Sequence, residues 1–162
     1  MMVEVYIGLG SNLENPAEQI RRARTVIAKQ TNISEINFSS LYSSPPMGPQ
    51  DQPDYVNAVM SVGTDLSAIE VLRILQKIES DFGRVRKGPR WGERVLDLDL
   101  LLYADQQINL PDLIVPHIGL SERAFVMYPL AEIAPENLLV PGQQTIKQLL
   151  INCSLNGLEK LA

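Results

Sequence analysis

GRVRKGPRWGERVLDLDLLLY, residues 83–103, carries two different messages in its two halves. The first half packs cations and glycines into a loop. The second half sets two carboxylates inside an apolar run. From Val95 to Tyr103 the content of Val, Leu and Tyr predicts a strand. Residues two apart on a strand share a face, so Asp97 and Asp99 project together, about 6–7 Å apart at the backbone. Leu96, Leu98 and Leu100 point the other way, into a core. Two acids side by side on a stiff element repel each other, so a positive charge must lie between them or one must hold a proton. Carboxylate oxygens so placed suit Mg²⁺, which keeps its waters and bridges to phosphates. Just upstream, Arg84, Arg86, Lys87, Arg90 and Arg94 could hold phosphate oxygens that a metal does not reach. An Arg–Asp salt-bridge cluster at a sheet edge is the other reading of the same spacing. The glycines, Pro89 and Trp91, the only tryptophan, favour a functional loop.

The rest of the composition narrows the setting. A chain of 162 residues, 45% hydrophobic and 20% charged, is expected to form one domain, 1–162, with a sizeable core. Cys153 is the sole cysteine, which leaves no internal disulfide and no Cys-rich metal site and fits a reducing, cytoplasmic compartment. No basic segment followed by an apolar run opens the sequence, and no uncharged stretch reaches about 18 residues, so neither an export signal nor a membrane span is expected. Net charge is −5, yet five of the fourteen Lys and Arg residues fall between Arg84 and Arg94. A patch so compact suits a small polyanion better than a nucleic-acid track.

Read in order, Val3 to Leu9 predicts a strand, with Gly8-Leu9-Gly10 as a strand-to-helix turn. Leu13 stands where a dinucleotide fingerprint needs its third glycine. Asn15 is expected to cap a helix that has Pro16 at its first position and Glu18 at its third. That helix should run to about Gln30, with Ile20, Ala23, Ile27 and Ala28 inward and Arg21, Arg22 and Arg24 solvated. Ile33 to Tyr42 predicts a second strand with Ile36 and Phe38 on one face. Ser44 to Asp54 holds Pro45, Pro46, Pro49 and Pro53, so it is expected as an extended loop rather than a central strand. Val56 to Val62 gives a third strand. Ser67 and Glu70 form a capping box for a second helix, with Ile69, Leu72, Leu75, Ile78 and Phe82 as its buried stripe. The acid-bearing strand is the fourth.

The order strand, helix, strand, strand, helix, strand is that of an α+β, ferredoxin-like βαββαβ core with a mainly antiparallel sheet. Helices are expected on one face of that sheet. Beyond Gln106 the sequence predicts a C-terminal extension: a small hairpin or edge strands, a short helix near Ser121 and a last helix from about Thr145 to Leu150.

No GxxxxGK[ST] loop and no protein-kinase signature is present. Any ATP must therefore be held by the acid pair and the loop cations. Here a family resemblance enters. RVRKGPRWGERVLDLDLLLY resembles the signature of the 6-hydroxymethyl-7,8-dihydropterin pyrophosphokinases of folate biosynthesis. Gly8-Leu9-Gly10-Ser11-Asn12 is similar to the family's opening. The run from Ser44 to Asn57, SPPMGPQDQPDYVN, is similar to its pterin loop. Val115-Pro116-His117, Arg123-Ala124-Phe125 and the run from Pro129 to Pro135 resemble its C-terminal part.

The resemblance implies transfer of the β,γ-pyrophosphoryl unit of ATP to the hydroxymethyl group of the pterin, with AMP released. It implies two Mg²⁺ on Asp97 and Asp99. Arg84 and Arg94 would join them in catalysis. Glu79, Arg84, Arg86, Lys87, Trp91, Arg94, His117 and Arg123 would bind ATP, with the cationic loop closing over it. Tyr55 and Phe125 would sandwich the pterin, Asn57 would read its pyrimidine edge, and Ser44, Pro45 and Met47 would complete the slot. From the residues alone, Phe125 reads as core, and His117 as loop packing or a phosphate contact alike. Ile114 and Ile118 depart from the hydroxyl and aromatic residues that many relatives carry around Val-Pro-His, which puts side-chain contacts to ribose in doubt. Ser44 stands where Thr is commoner. The expected partners are ATP and the pterin, with no nucleic acid and no membrane, acting on a monomer. Two rival readings remain: a nucleotidyltransferase that uses the same acids and releases pyrophosphate, and a non-catalytic ferredoxin-like RNA-binding module. The second would need exposed aromatics and a broad basic face, against 6% aromatics and a negative balance here.

Overall fold

A computed structural model describes residues 2–12, 15–45, 54–83 and 95–161. Its centre is β4 (Tyr55–Thr64), whose Val, Ala and Met side chains are buried on both faces of the sheet. β1 (Val3–Ser11) runs antiparallel to it from Val3 opposite Thr64 to Ser11 opposite Val56. β5 (Asp97–Tyr103) lies outside β1 and is also antiparallel to it. On the far side of β4, β2 (Ile33–Phe38) and β3 (Tyr42–Ser44) pair with successive parts of the strand. A two-residue strand near the C-terminal end of the described chain, Glu159–Lys160, pairs with β3.

Alternation along β4 divides the core. Val56, Ala58, Met60 and Val62 join Val5, Ile7 and Leu9 of β1 and Leu98 and Leu100 of β5. α1 (Pro16–Ala28) and α2 (Ala68–Asp81) cover this face through Ile20, Ala23, Ile27, Val71, Leu75 and Ile78. Val59, Tyr6 and Leu101 belong to a second cluster on the opposite face. There α3 (Ala124–Ile133) packs through Val126, Met127 and Leu130, and α4 (Ile146–Ile151) adds Ile146. Helices therefore cover both faces, not the one expected. The segment from Phe125 to Leu130 has no polar positions to reveal a 3.6-residue period, because α3 is buried; a buried helix and a buried strand read alike in such a run. Pro129 lies inside α3.

Other local departures have plain causes. Gly8 and Gly10 lie within β1 rather than in a turn after it. Asn15 caps α1 with its backbone, not its side chain: it sits at φ 64°, and its carbonyl accepts from the N–H groups of Glu18 and Gln19 at 3.0 and 3.1 Å. Ile36 is 55% exposed while Phe38 packs on the core, because a bulge between Glu35 and Asn37 breaks the alternation. Arg24 is not merely solvated: it grips Glu35 with two bonds of 2.8 and 2.9 Å and lies 4.3 Å from the Phe38 ring centroid. Arg22 lies over Phe82 at 4.7 Å. The second predicted strand breaks after Phe38, and Ser44 ends β3 instead of opening a loop.

The Ser67–Glu70 capping box on α2 is present as expected, and Thr145 and Gln148 form another on α4. A hairpin of β6 (Ile108–Leu110) and β7 (Leu113–Val115) fills the place foreseen beyond Gln106. The helix expected near Ser121 begins at Ala124 as α3. Among the described residues, no helix is long and apolar enough to cross a membrane.

Candidate active site

Asp97 and Asp99 flank Leu98 at the start of β5, the outer strand of the sheet. Leu98 is buried in the α1–α2 cluster, so both acids face the other side and stay half-buried. Their neighbours across the ladder are Gly10, opposite Asp97, and Gly8, opposite Asp99. Directly opposed side chains on paired strands approach within about 4.5–5.5 Å at Cβ. Glycine at both positions puts no side chain of β1 beside the carboxylates, and the space is taken by Leu101 at Gly8 and by Asn57 Oδ1 at Gly10. The peptide between the acids is pinned from the open edge: Leu98 N–H donates to Glu79 Oε2 of α2 at 2.7 Å, and Glu79 is only 6% exposed. A sheet-edge donor that would otherwise be unpaired is satisfied, and the spacing of the two acids is held by it.

His117 follows β7. Its N–H donates to the Leu101 carbonyl at 3.0 Å, which ties the residue to β5. Gly119 N–H donates to its Nδ1 at 3.2 Å, so in the neutral ring the proton sits on Nε2. That nitrogen lies 3.8 Å from Asp99 Oδ1. Arg123, just before α3, has its guanidinium 5.8 Å from the Phe125 ring centroid and packs so closely on Gly119 that a Cβ there would meet Nε at 2.5 Å.

A second group lies on the same face, two strands away. Asn57 of β4 is opposite Gly10, as Asp97 is on the other side of β1. With strands about 4.8 Å apart, Asn57 and Asp97 stand roughly 10 Å apart at the backbone. Asn57 is buried and donates from Nδ2 to Ser44 Oγ at 3.2 Å. Its Oδ1 occupies the space above Gly10, where a Cβ would come within 2.8 Å. Tyr55, opposite Ser44, is half-buried, and Pro45 follows exposed. Phe125, in the first turn of α3, packs against the α3–α4 cluster on this face.

The structure thus brings Ser44, Tyr55, Asn57, Asp97, Asp99, His117, Arg123 and Phe125 to one face, and sets Glu79 behind the acid pair against the backbone. Met47, Arg84, Arg86, Lys87, Arg90, Trp91 and Arg94 lie outside the described residues. The placement of Gly8 and Gly10 opposite the two acids is not visible in the sequence, since strand register must be known first.

Among the described residues, no group of three or more His, Cys, Asp or Glu side chains gathers to hold a metal. Two oxygen donors beside glycines fit Mg²⁺, which is bound through one or two carboxylates with water and substrate phosphates completing its shell. Zinc or iron would call for nitrogen or sulfur ligands.

An antiparallel sheet here carries a strand-borne acid pair whose oxygens suit a hard cation and, two strands away, a buried amide–hydroxyl pair that suits a small polar substrate. A family model described as 7,8-dihydro-6-hydroxymethylpterin-pyrophosphokinase matches residues 6–135, and the chain belongs to this family. It is 49% identical to the 2-amino-4-hydroxy-6-hydroxymethyldihydropteridine pyrophosphokinase of Haemophilus influenzae over 91% of both chains. It is 45% identical to the enzyme of that name from Pseudomonas aeruginosa, over 99% of this chain and 98% of the other. A crystal structure of Plasmodium falciparum HPPK-DHPS with pteroate shares the fold at a TM-score of 0.72 and 15% identity, covering 94% of this chain and 42% of that one.

Proposed function

We propose that this chain transfers the pyrophosphoryl group of ATP to the hydroxymethyl oxygen of 6-hydroxymethyl-7,8-dihydropterin, releasing AMP. The observation that carries the reading is the single row Asn57–Gly10–Asp97: it sets an amide able to read a pterin edge about 10 Å from an acid able to hold a phosphate-bound cation. The names of the curated relatives support the same reaction. One face carries both half-sites, and Gly10, with no side chain of its own, lets the Asn57 amide lie over β1 on the way to Asp97.

In this reading the hydroxyl oxygen attacks the β-phosphorus. The bond from that phosphorus to the α,β-bridging oxygen breaks, AMP leaves with the electron pair, and the hydroxyl proton passes to water. Two Mg²⁺ on Asp97 and Asp99 would neutralise phosphate charge and lower the pKa of the hydroxyl. The chain's own groups supply alignment. His117 Nε2–H and the Arg123 guanidinium donate to phosphate oxygens, and Glu79 keeps the acids in place through Leu98. Asn57 and Ser44 orient the pterin between Tyr55 and Phe125, and backbone groups of Pro45 and Met47 would complete the slot. Arg84 and Arg94 would stabilise the transferring group, and Arg86, Lys87 and Trp91 would cover ATP. Positioning of this kind accounts for much of the rate of a phosphoryl-type transfer.

We read the sheet order β5-β1-β4-β2 as ferredoxin-like, in one domain with a C-terminal extension; antiparallel pairing throughout supports this. A monomeric, cytoplasmic enzyme fits the free thiol of Cys153. An RNA-binding module fits less well, because α3 covers the sheet face that would carry its aromatics.

The experiment is to mix the chain with ATP, Mg²⁺ and the dihydropterin and separate the nucleotides. AMP formed only when the pterin is present is the expected result. ADP would contradict the reaction, and free pyrophosphate without a pterin diphosphate would favour a nucleotidyltransferase.

A further inference from the structure

α3 begins beside the candidate site and ends on a carboxylate whose place there needs a reason. Glu132 is the last residue but one of α3. An acid in the last turn of a helix faces the negative end of the helix dipole, which disfavours it locally. Its bonds are all to another part of the chain. Ser40 N–H donates to both oxygens at 3.1 and 3.0 Å, Ser40 Oγ donates at 2.9 Å, and Tyr42 Oη donates at 2.7 Å. Ser40 and Tyr42 belong to the segment that carries the chain from β2 into β3.

That segment needs a clamp. β3 is three residues long, and its outer neighbour, Glu159–Lys160, is two. Yet its register decides the substrate side of the site. Tyr42 must stand opposite Asn57 and Ser44 opposite Tyr55 for the Ser44 hydroxyl to reach the Asn57 amide at 3.2 Å. A slip of one residue would turn Ser44 to the other face. Ser39 fixes the start of the segment through paired bonds with Val59, each 2.9 Å. Glu132 fixes Ser40 and Tyr42, just beyond it.

We propose that Glu132 is a positioning residue for the pterin half of the reaction: it locks Ser40 and Tyr42, and through them the β3 register that sets the Ser44–Asn57 pair. The inference rests on the functional reading above. It makes α3 a bar with a site residue, Phe125, in its first turn and the latch of the opposite wall in its last.

Three variants test it. Glu132→Ala removes the latch, Glu132→Gln keeps one acceptor oxygen, and Tyr42→Phe removes a single donor while retaining the ring. Each is assayed for KM toward pterin and ATP separately, and for amide hydrogen exchange of residues 39–44 against residues 97–103. Loss of several bonds to a charged acceptor predicts a rise in pterin KM of about tenfold or more for Glu132→Ala. The ATP KM should stay within about twofold, with partial recovery in Glu132→Gln and a smaller rise in Tyr42→Phe. Exchange at 39–44 should quicken while 97–103 is unchanged. A lower melting temperature with both KM values and local exchange unaltered would overturn the proposal, as would an equal rise in both KM values. Faster exchange at 39–44 in Glu132→Ala, together with a wild-type chain that makes no AMP, would instead count against the functional reading and leave the latch standing.

Discussion

His117 Nε2 lies 3.8 Å from Asp99 Oδ1, and the ring is turned there because Gly119 N–H occupies Nδ1. One N–H is thereby left to face the acid pair from outside the sheet. A phosphate oxygen entering between them would meet a donor on one side and, through a cation, a carboxylate on the other. His117→Ala is expected to lower kcat/KM by at least about tenfold, as loss of a preorganised donor to developing charge does. The fold should survive, since the residue is bound to β5 by its backbone. Nucleotide production and a thermal melt on the same sample check both halves.

Gly10 is held to glycine by Asn57 rather than by its own backbone. A Cβ would sit 2.8 Å from Asn57 Oδ1, while at Gly8 it would meet only Leu101 side-chain atoms at 3.5 Å, an ordinary contact. Gly10→Ala should therefore displace the Asn57 amide and weaken pterin binding, with an overpacking cost to stability of about 1–3 kcal/mol. Gly8→Ala should bind pterin nearly as wild type does. Fluorescence titration with the pterin separates the two.

Glu79 is buried against the Leu98 amide. Glu79→Ala leaves that N–H without its acceptor, and a loss of about 1–3 kcal/mol in unfolding free energy is expected. Urea melts measure it. The Mg²⁺ concentration needed for half-maximal rate should rise in the same variant, because the acids on either side of Leu98 lose their brace.

Two carboxylates give the fold an acid limit. Burial pushes the Glu132 pKa up, but the bonds from Tyr42 and Ser40, with Lys160 nearby, outweigh it and hold the group below its usual value of 4.5. Arg24 holds Glu35 below 4.5 in the same sense, chiefly through their paired hydrogen bonds. A depressed folded value means that the stability is present above the unfolded value and is lost as pH falls through the folded one. Urea midpoints should therefore be flat from pH 7 to about 5 with respect to these groups and drop below about 4.5. In Glu132→Gln the drop should be shallower and the neutral-pH midpoint lower.

The acid pair was legible because strand alternation is a local rule: Asp97 and Asp99 share a face whatever surrounds them. The Ser67–Glu70 cap was legible for the same reason. Asn15 is legible as the cap of α1, but not the way it caps, because residue type alone does not report its left-handed φ. Ile36 was misplaced by a bulge that single-strand periodicity does not show. The helix expected near Ser121 gives no sign of the length of α3, because burial leaves little polar stripe to mark it. The meeting of Asn57, Gly10 and Asp97, and the latch at Glu132, depend on register and on packing between segments far apart in sequence. No window of neighbouring residues contains them.

The account turns on which phosphorus is attacked, and ATP labelled separately at the α-, β- and γ-positions reads that choice. With Mg²⁺ and the dihydropterin, the β and γ labels are predicted to appear together on the pterin and the α label on AMP, and in Asp97→Ala all three labels should stay on ATP. A γ label moving to the pterin without the β label, or β and γ labels released together as free pyrophosphate, would contradict it.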